Sequence, residues 1–226
     1  MSTARSTRPP LFPGQRLTVA EFMRRWEALP ELKFAELIDG VVYMPSPLSS
    51  EHGLIDGYVG TWLGVYAAYT PGCKAGEQGT WLMSRSAPQP DHYLWVAPEY
   101  GGQSGVRGKY HSGAPELAAE VCLSSTAYDL GVKKKLYGQA GVQEYVAVIV
   151  KTKEVRWHRL VDGHYQLRPP GARGVYRSEV FPGLWLNAPA LWKDDMARVL
   201  ATLRRGQKSP AHAAFVKVLA RRKRSR

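Results

Sequence analysis

Apolar and polar residues recur along the chain with two alternating periods, and the changes of period mark its elements. Thr18-Val19-Ala20-Glu21 is a capping box ahead of a helical pattern that runs to about Leu29, before Pro30. Phe34–Pro45 contains two β-prone runs joined by Asp39-Gly40, which predicts a hairpin. Residues 49–69 predict a helix opened by Ser49 or Ser50 and stopped before Pro71-Gly72. Strand patterns follow at 74–84 and Asp91–Val96, then a polar, glycine-rich connection from Pro98 to Pro115. Glu116–Leu123 is a short apolar run of the kind found in a strand buried on both faces. A second capping box, Thr126-Ala127-Tyr128-Asp129, opens a helix to about Ala140, with Gly141 as its stop. Residues 143–150 predict another buried strand, and 153–160, 164–168 and 175–186 a meander turning at Asp162-Gly163. Helices are predicted at 190–205 and 211–223. Strands alternating with helices and ending in antiparallel strands imply an α/β fold, a mixed sheet with helices on its faces.

Composition adds limits. The 226 residues are 44% hydrophobic and 11% aromatic, enough for a sizeable core and unlike a disordered chain. No stretch approaches the roughly 18 apolar residues of a membrane span, and the first sixteen residues contain no apolar run of the secretory kind. A cytoplasmic protein is the expectation. Cys73 and Cys122 are too few for a disulfide framework or a four-ligand zinc site and are expected to stay reduced.

Charge is unevenly placed. The net charge is +12, and residues 193–226 alone carry eleven Lys/Arg against two Asp, leaving +3 for the rest. Such a segment either neutralises phosphates without reading sequence or is a solvated extension; alternatively, Ala214, Phe215, Val218 and Leu219 dock a helix on the core or on a second subunit. The expected organisation is a disordered segment 1–16, a domain 17–190 and a basic helical extension 191–226.

Three charged residues fall where the pattern is apolar. Glu120 lies inside Leu117–Leu123, sharing a face with Ala118 and Cys122, so it needs a cation, a metal or a strong donor. Asp91 follows Pro90 and opens a short strand, where it serves either as a turn residue or as a ligand. On a helical wheel with Leu130 at zero, Lys133 falls at about 300°, inside the arc of Val132, Leu136, Ala140 and Tyr137. Lys135 faces the opposite side. Lys133 either snorkels past the apolar face or aims its ammonium at the carboxylates. Two carboxylates and a lysine are a donor set suited to Mg²⁺ or Mn²⁺ and to phosphodiester hydrolysis.

These residues, in this order, resemble the Uma-type restriction endonucleases, a bacterial branch of the PD-(D/E)xK nuclease superfamily. The resemblance covers roughly residues 16–190. It rests on Glu36-Leu37-Ile38-Asp39-Gly40, Pro45-Ser46-Pro47 followed by His52, Pro90-Asp91, Gly113–Leu117 leading into Glu120-Val121, and Ser124-Ser125-Thr126. It continues through Asp129, Lys133, Tyr137 and Gly141–Tyr145. It implies a restriction-endonuclease-like mixed β-sheet flanked by helices, with the basic helical extension outside it. It also implies a Mg²⁺- or Mn²⁺-dependent endonuclease acting on DNA. Asp91 and Glu120 match the motif's carboxylates, and Lys133, ahead of Tyr137, matches a lysine moved from the usual position, which is Cys122 here. Glu36 matches an early glutamate, either an accessory metal ligand or half of a hairpin salt bridge. His52 matches a recurrent histidine, either an accessory contact to phosphate or part of the helix start. Tyr137 and Tyr145 are expected in the core. Val146, Val150, His92 and Tyr93 depart from the family's usual residues, which marks a divergent member. A nuclease-fold protein that binds nucleic acid or another protein without cutting is the alternative, and a homodimer is left open.

Overall fold

The computed structural model describes residues 10–44, 49–123 and 128–225. The motif pieces Pro45-Ser46-Pro47 and Ser124-Ser125-Thr126 lie outside them. Helix α1 (Val19–Glu27) starts where the Thr18 hydroxyl accepts the Glu21 amide, and it buries Phe22, Met23 and Trp26 in a cluster shared with the following hairpin. That hairpin pairs β1 (Glu36–Ile38) with β2 (Val41–Tyr43). Asp39 and Gly40 have φ of 47° and 77°, the two positive values that a type I′ turn requires. Residues 10–16, expected to be disordered, lie along the hairpin instead: the Gly14 amide donates to the Val42 carbonyl at 2.8 Å, and Leu11 is buried.

Helix α2 (Ser50–Ala68) is capped by Ser49. Next come β3 (Cys73–Glu77), β4 (Trp81–Leu82) and β5 (His92–Val96). The glycine-rich stretch after β5 is more ordered than expected. It forms β6 (Gly105–Arg107) and β7 (Tyr110–Ser112), a hairpin with β4 beside β7. The sequence hides it because neither strand has a buried face long enough to show a period.

The six-stranded main sheet has the order β11-β10-β9-β8-β5-β3, with β8 (Leu117–Cys122), β9 (Glu144–Ile149), β10 (Glu154–Val161) and β11 (His164–Arg168). Within this sheet only β8 and β9 are parallel, and parallel neighbours need a crossover. It is supplied by a π-helical turn, Asp129–Lys133, that continues as α3 (Lys134–Ala140) and ends on Gly141 at φ 87°. All six residues of β8 are buried. Leu117, Ala119 and Val121 face the core under α2, while Ala118 and Cys122 face the core under α3.

The expected meander stops at β11. Pro169-Pro170 follow it and cannot donate to a ladder, and β12 (Val175–Arg177) pairs instead with β13 (Trp185–Asn187) in a separate ribbon. The basic segment then folds as α4 (Ala188–Leu191), α5 (Met196–Gln207) and α6 (Pro210–Arg224). Val199, Leu203 and Leu219 join the α2-side core, and His212 meets the Thr70 hydroxyl at 3.0 Å. Of the four residues expected to dock, Phe215 and Leu219 do so, while Ala214 and Val218 are exposed.

Candidate active site

Glu120 is 1% exposed, in the middle of the central strand, on the α3 side of the sheet. Its carboxylate oxygens lie 3.0 and 3.1 Å from Lys133 Nζ, and one of them also accepts the Tyr137 hydroxyl at 2.6 Å. Lys133 and Tyr137 stand four residues apart on one helical face, so a single helix presents both partners. Lys133 is buried. Val132, on the apolar arc of a regular α-helix, is 40% exposed, because the π turn shifts the phase of the first residues of the crossover. Such turns recur where a helix is fitted to a functional site.

The hairpin closes the site from above. Glu36 Oε1 is 3.1 Å from Lys133 Nζ and accepts the Gln89 amide at 2.7 Å. Lys133 therefore bridges Glu120 and Glu36. Tyr128 lies with its ring 5.7 Å from the ammonium, packed against Tyr43, and its buried hydroxyl has no partner among the described residues.

Asp91 precedes β5, whose His92 pairs with Ala119. Continuing that register by one residue sets Asp91 opposite Glu120, and directly opposed residues share a face. Asp91 Oδ2 accepts the Val121 amide at 2.8 Å. His52 holds the carbonyl of the same residue, its Nε2 2.7 Å from the Val121 oxygen. A carbonyl only accepts, so Nε2 carries the proton; Nδ1 is buried with no partner among the described residues. His52 thus ties α2 to β8 at the residue that follows Glu120.

Charge is unbalanced here. Burial raises the Glu120 carboxyl well above its ordinary value against the pull of Lys133, and Asp91, Asp129 and Glu36 add to the rise. Burial raises Glu36 too. Burial alone would lower the Lys133 ammonium, yet Glu120, Glu36, Asp91 and Asp129 outweigh it and hold it well above its usual value. Burial is the first cause for both carboxyls, and the surplus of carboxylates over one ammonium adds to their rise and accounts for that of Lys133. A dication would relieve that excess. Among the described residues no three His, Cys, Asp or Glu side chains form a metal-holding cage, so Asp91, Glu120 and Glu36 do not close into one. Mg²⁺ asks for less, usually one or two carboxylates with water and phosphate oxygens completing the shell. The donor set fits such an ion.

Tyr137 and Tyr145 are buried in the core as expected, and the Tyr137 hydroxyl also donates to Glu120, for which its spacing from Lys133 was the available signal. Tyr128, Tyr43 and the Val121 peptide left no pattern in the sequence.

Comparison with protein families matches residues 19–189 to Uma2, described as "Putative restriction endonuclease". The chain belongs to the Uma2 family. No curated protein matches it. Among solved structures, a putative nuclease belonging to DUF820 from Anabaena variabilis is similar at a TM-score of 0.61 and 14% identity. The match spans 78% of this chain and 98% of that one. At that identity the likeness concerns the fold, a mixed sheet flanked by helices. The Uma2 match ends ahead of α5 and α6, whose apolar faces nevertheless complete the α2-side core.

Proposed function

We propose that the chain is a divalent-metal-dependent endonuclease that hydrolyses phosphodiester bonds in DNA. The observation that carries this reading is the buried Glu120–Lys133 pair, with Glu36 and Asp91 leaving the site short of positive charge. Asp91 and Glu120 would hold Mg²⁺ or Mn²⁺, with Glu36 as an accessory ligand. When bound, the ion supplies a Lewis acid that offsets phosphate charge and favours hydroxide over water.

The chain's own residues do the rest. Tyr137 fixes one Glu120 oxygen through its hydroxyl, which sets the plane of the carboxylate. Lys133 keeps its proton because the carboxylates around it favour the charged form. It therefore acts as a fixed cation that can exchange Glu36 for a phosphate oxygen, a type of electrostatic support that is strong away from bulk water. Asp91 and His52 hold the Val121 peptide and, through it, the position of Glu120 along β8.

The test is plasmid cleavage by the purified full chain with Mg²⁺ or Mn²⁺, with a chelator control and the Asp91→Ala variant. Nicking that needs the metal and disappears in Asp91→Ala is expected. Tight DNA binding without cleavage under all these conditions would instead favour a nuclease fold that binds and does not cut.

A further inference from the structure

Away from the carboxylates, β12, β13, α4 and α5 enclose a cavity of about 550 Å³. Arg173, Arg177, Lys193, Arg198 and Arg205 line it, and Asp195 is its one acid. The Asp195 side chain is occupied in capping α5, where it accepts the Arg198 amide at 2.9 Å. All five cations are exposed, and among the described residues none forms an ion pair. Some surface arginines elsewhere find acids, as Arg24 and Arg25 take Glu21, Arg156 takes Glu154, and Arg168 takes Glu179. Arg107, Arg204 and Arg221 are single, but they do not gather around a hollow with four other cations. Five unpaired cations around one hollow repel each other and gather anions.

The hollow is also built. Arg177 lies 4.3 Å over the Trp185 ring. Trp185 in turn packs on Gly206, where an added Cβ would stand 2.8 Å from the ring. Trp185 is therefore a fixed support for a guanidinium rather than a surface free to stack on a base. Arg173 holds φ 60°, a left-handed conformation that an arginine adopts only under constraint from its surroundings. Recognition here falls to guanidinium and ammonium groups, which suits phosphate oxygens.

A second cavity of about 770 Å³ shares Pro189 with the first and reaches Lys134, the residue after Lys133, with Lys153 and an Arg156 paired to Glu154 on its wall. The basic surface thus continues from the outer side of the helix that bears Lys133 to the hollow. A ligand that follows it must be long and carry phosphate at intervals.

We infer that the cleft between the β12–β13 ribbon and α5 is a second nucleic-acid contact, which takes the phosphate backbone of DNA flanking the site of cleavage. The choice of DNA rests on the nuclease reading above; the anion preference stands on the cleft itself.

The test compares the full chain with the triple variant Lys193→Ala/Arg198→Ala/Arg205→Ala and with a control triple on α6, Lys217→Ala/Arg221→Ala/Arg224→Ala. All six side chains are exposed, so thermal unfolding should be unchanged. Binding of a fluorescein-labelled duplex is followed by anisotropy in a chelator, so cleavage does not enter. The cleft triple is expected to flatten the plot of log affinity against log salt by roughly 0.9 for each phosphate no longer neutralised, so by about 2–3, and the control triple by much less. Equal effects of the two triples, or no effect of the first, overturn the inference. Displacement of the duplex by micromolar mononucleotide also overturns it, since the cleft would then be a small-phosphate site. Plasmid cleavage by the unmutated chain is scored separately. Cleavage with an unchanged salt slope defeats the cleft alone, and cleft-dependent binding without cleavage defeats the nuclease reading alone.

Discussion

Replacing Lys133 with methionine removes the one ammonium from a site built of carboxylates. Methionine roughly keeps the volume, so the change is in charge rather than packing. The ammonium takes with it two hydrogen bonds to Glu120, at 3.0 and 3.1 Å, and an ion pair with Glu36 at 3.1 Å. Removing one partner of a buried pair destabilises by about 3–5 kcal/mol, because the other charge is left without compensation. For a chain of this size each kcal/mol moves Tm by about 2–4 °C, so the expected fall is about 6–20 °C. The fall should depend on pH. The Glu120 carboxyl is raised above 4.5 in the folded state and rises further without Lys133. The variant's deficit is then full above the raised value and shrinks as pH falls toward the unfolded value. Thermal unfolding monitored by circular dichroism at about pH 8 and about pH 5 should show a wider gap between variant and parent at the higher pH. Mg²⁺ should raise the variant's Tm more than the parent's, since the ion takes up charge that Lys133 no longer offsets. A destabilisation below about 1 kcal/mol that is the same at both pH values would refute the charge imbalance.

Three further outcomes are expected. Deleting residues 209–226 removes Leu219 and Phe215 from the core and should lower stability by about 2–4 kcal/mol, so a truncated chain with unchanged Tm would contradict the docking of α6. Cys73 and Cys122 are buried and free, with burial pushing Cys73 up to about 12; a thiol reagent should find two thiols after non-reducing denaturation and react slowly with the native chain. Burial lowers His158 from 6.5 to about 4, so its contribution is present above the unfolded value and lost as pH falls from 6.5 to 4. That contribution is on the order of 2 kcal/mol after allowance for solvent screening, and a pH–Tm curve for His158→Gln should be flatter over that window.

The readable parts of the fold were those with local causes. Thr18 caps α1 because a hydroxyl three residues before an amide suffices, and Asp39-Gly40 turns the hairpin because the backbone there needs two positive φ values. Glu120 stood out because a carboxylate in a doubly apolar strand demands a partner, and Lys133 because a lysine on an apolar arc demands an acid. What joins them to the rest is not local. The meeting of Glu36 with Lys133 depends on how the hairpin sits over α3, and Asp91 meets Val121 only through the pairing of β5 with β8. The π turn was also invisible, since a wheel at 100° per residue assumes the geometry that the turn alters. The C-terminal charges left two readings open, a basic arm or a docked helix, and Val199, Leu203 and Leu219, interspersed at helical spacing, fasten the segment to the core.

The placement of charge bears on how such a nuclease would work. The carboxylates around Glu120 repel a phosphate before the metal and Lys133 offset them, so attraction of DNA must come from elsewhere on the surface. The unpaired cations of the β12–β13 and α5 cleft are positioned to supply it. Exposed charges are screened over about 10 Å at 0.1 M salt, whereas a buried pair is screened far less. Rising monovalent salt, at fixed saturating Mg²⁺, should therefore raise KM for plasmid cleavage while kcat holds nearly constant. Interactions made equally in ground and transition states act in that way. A kcat that falls with salt as steeply as kcat/KM would mean that the salt-sensitive charges act in the chemical step itself, and the separation of attraction from chemistry would fail.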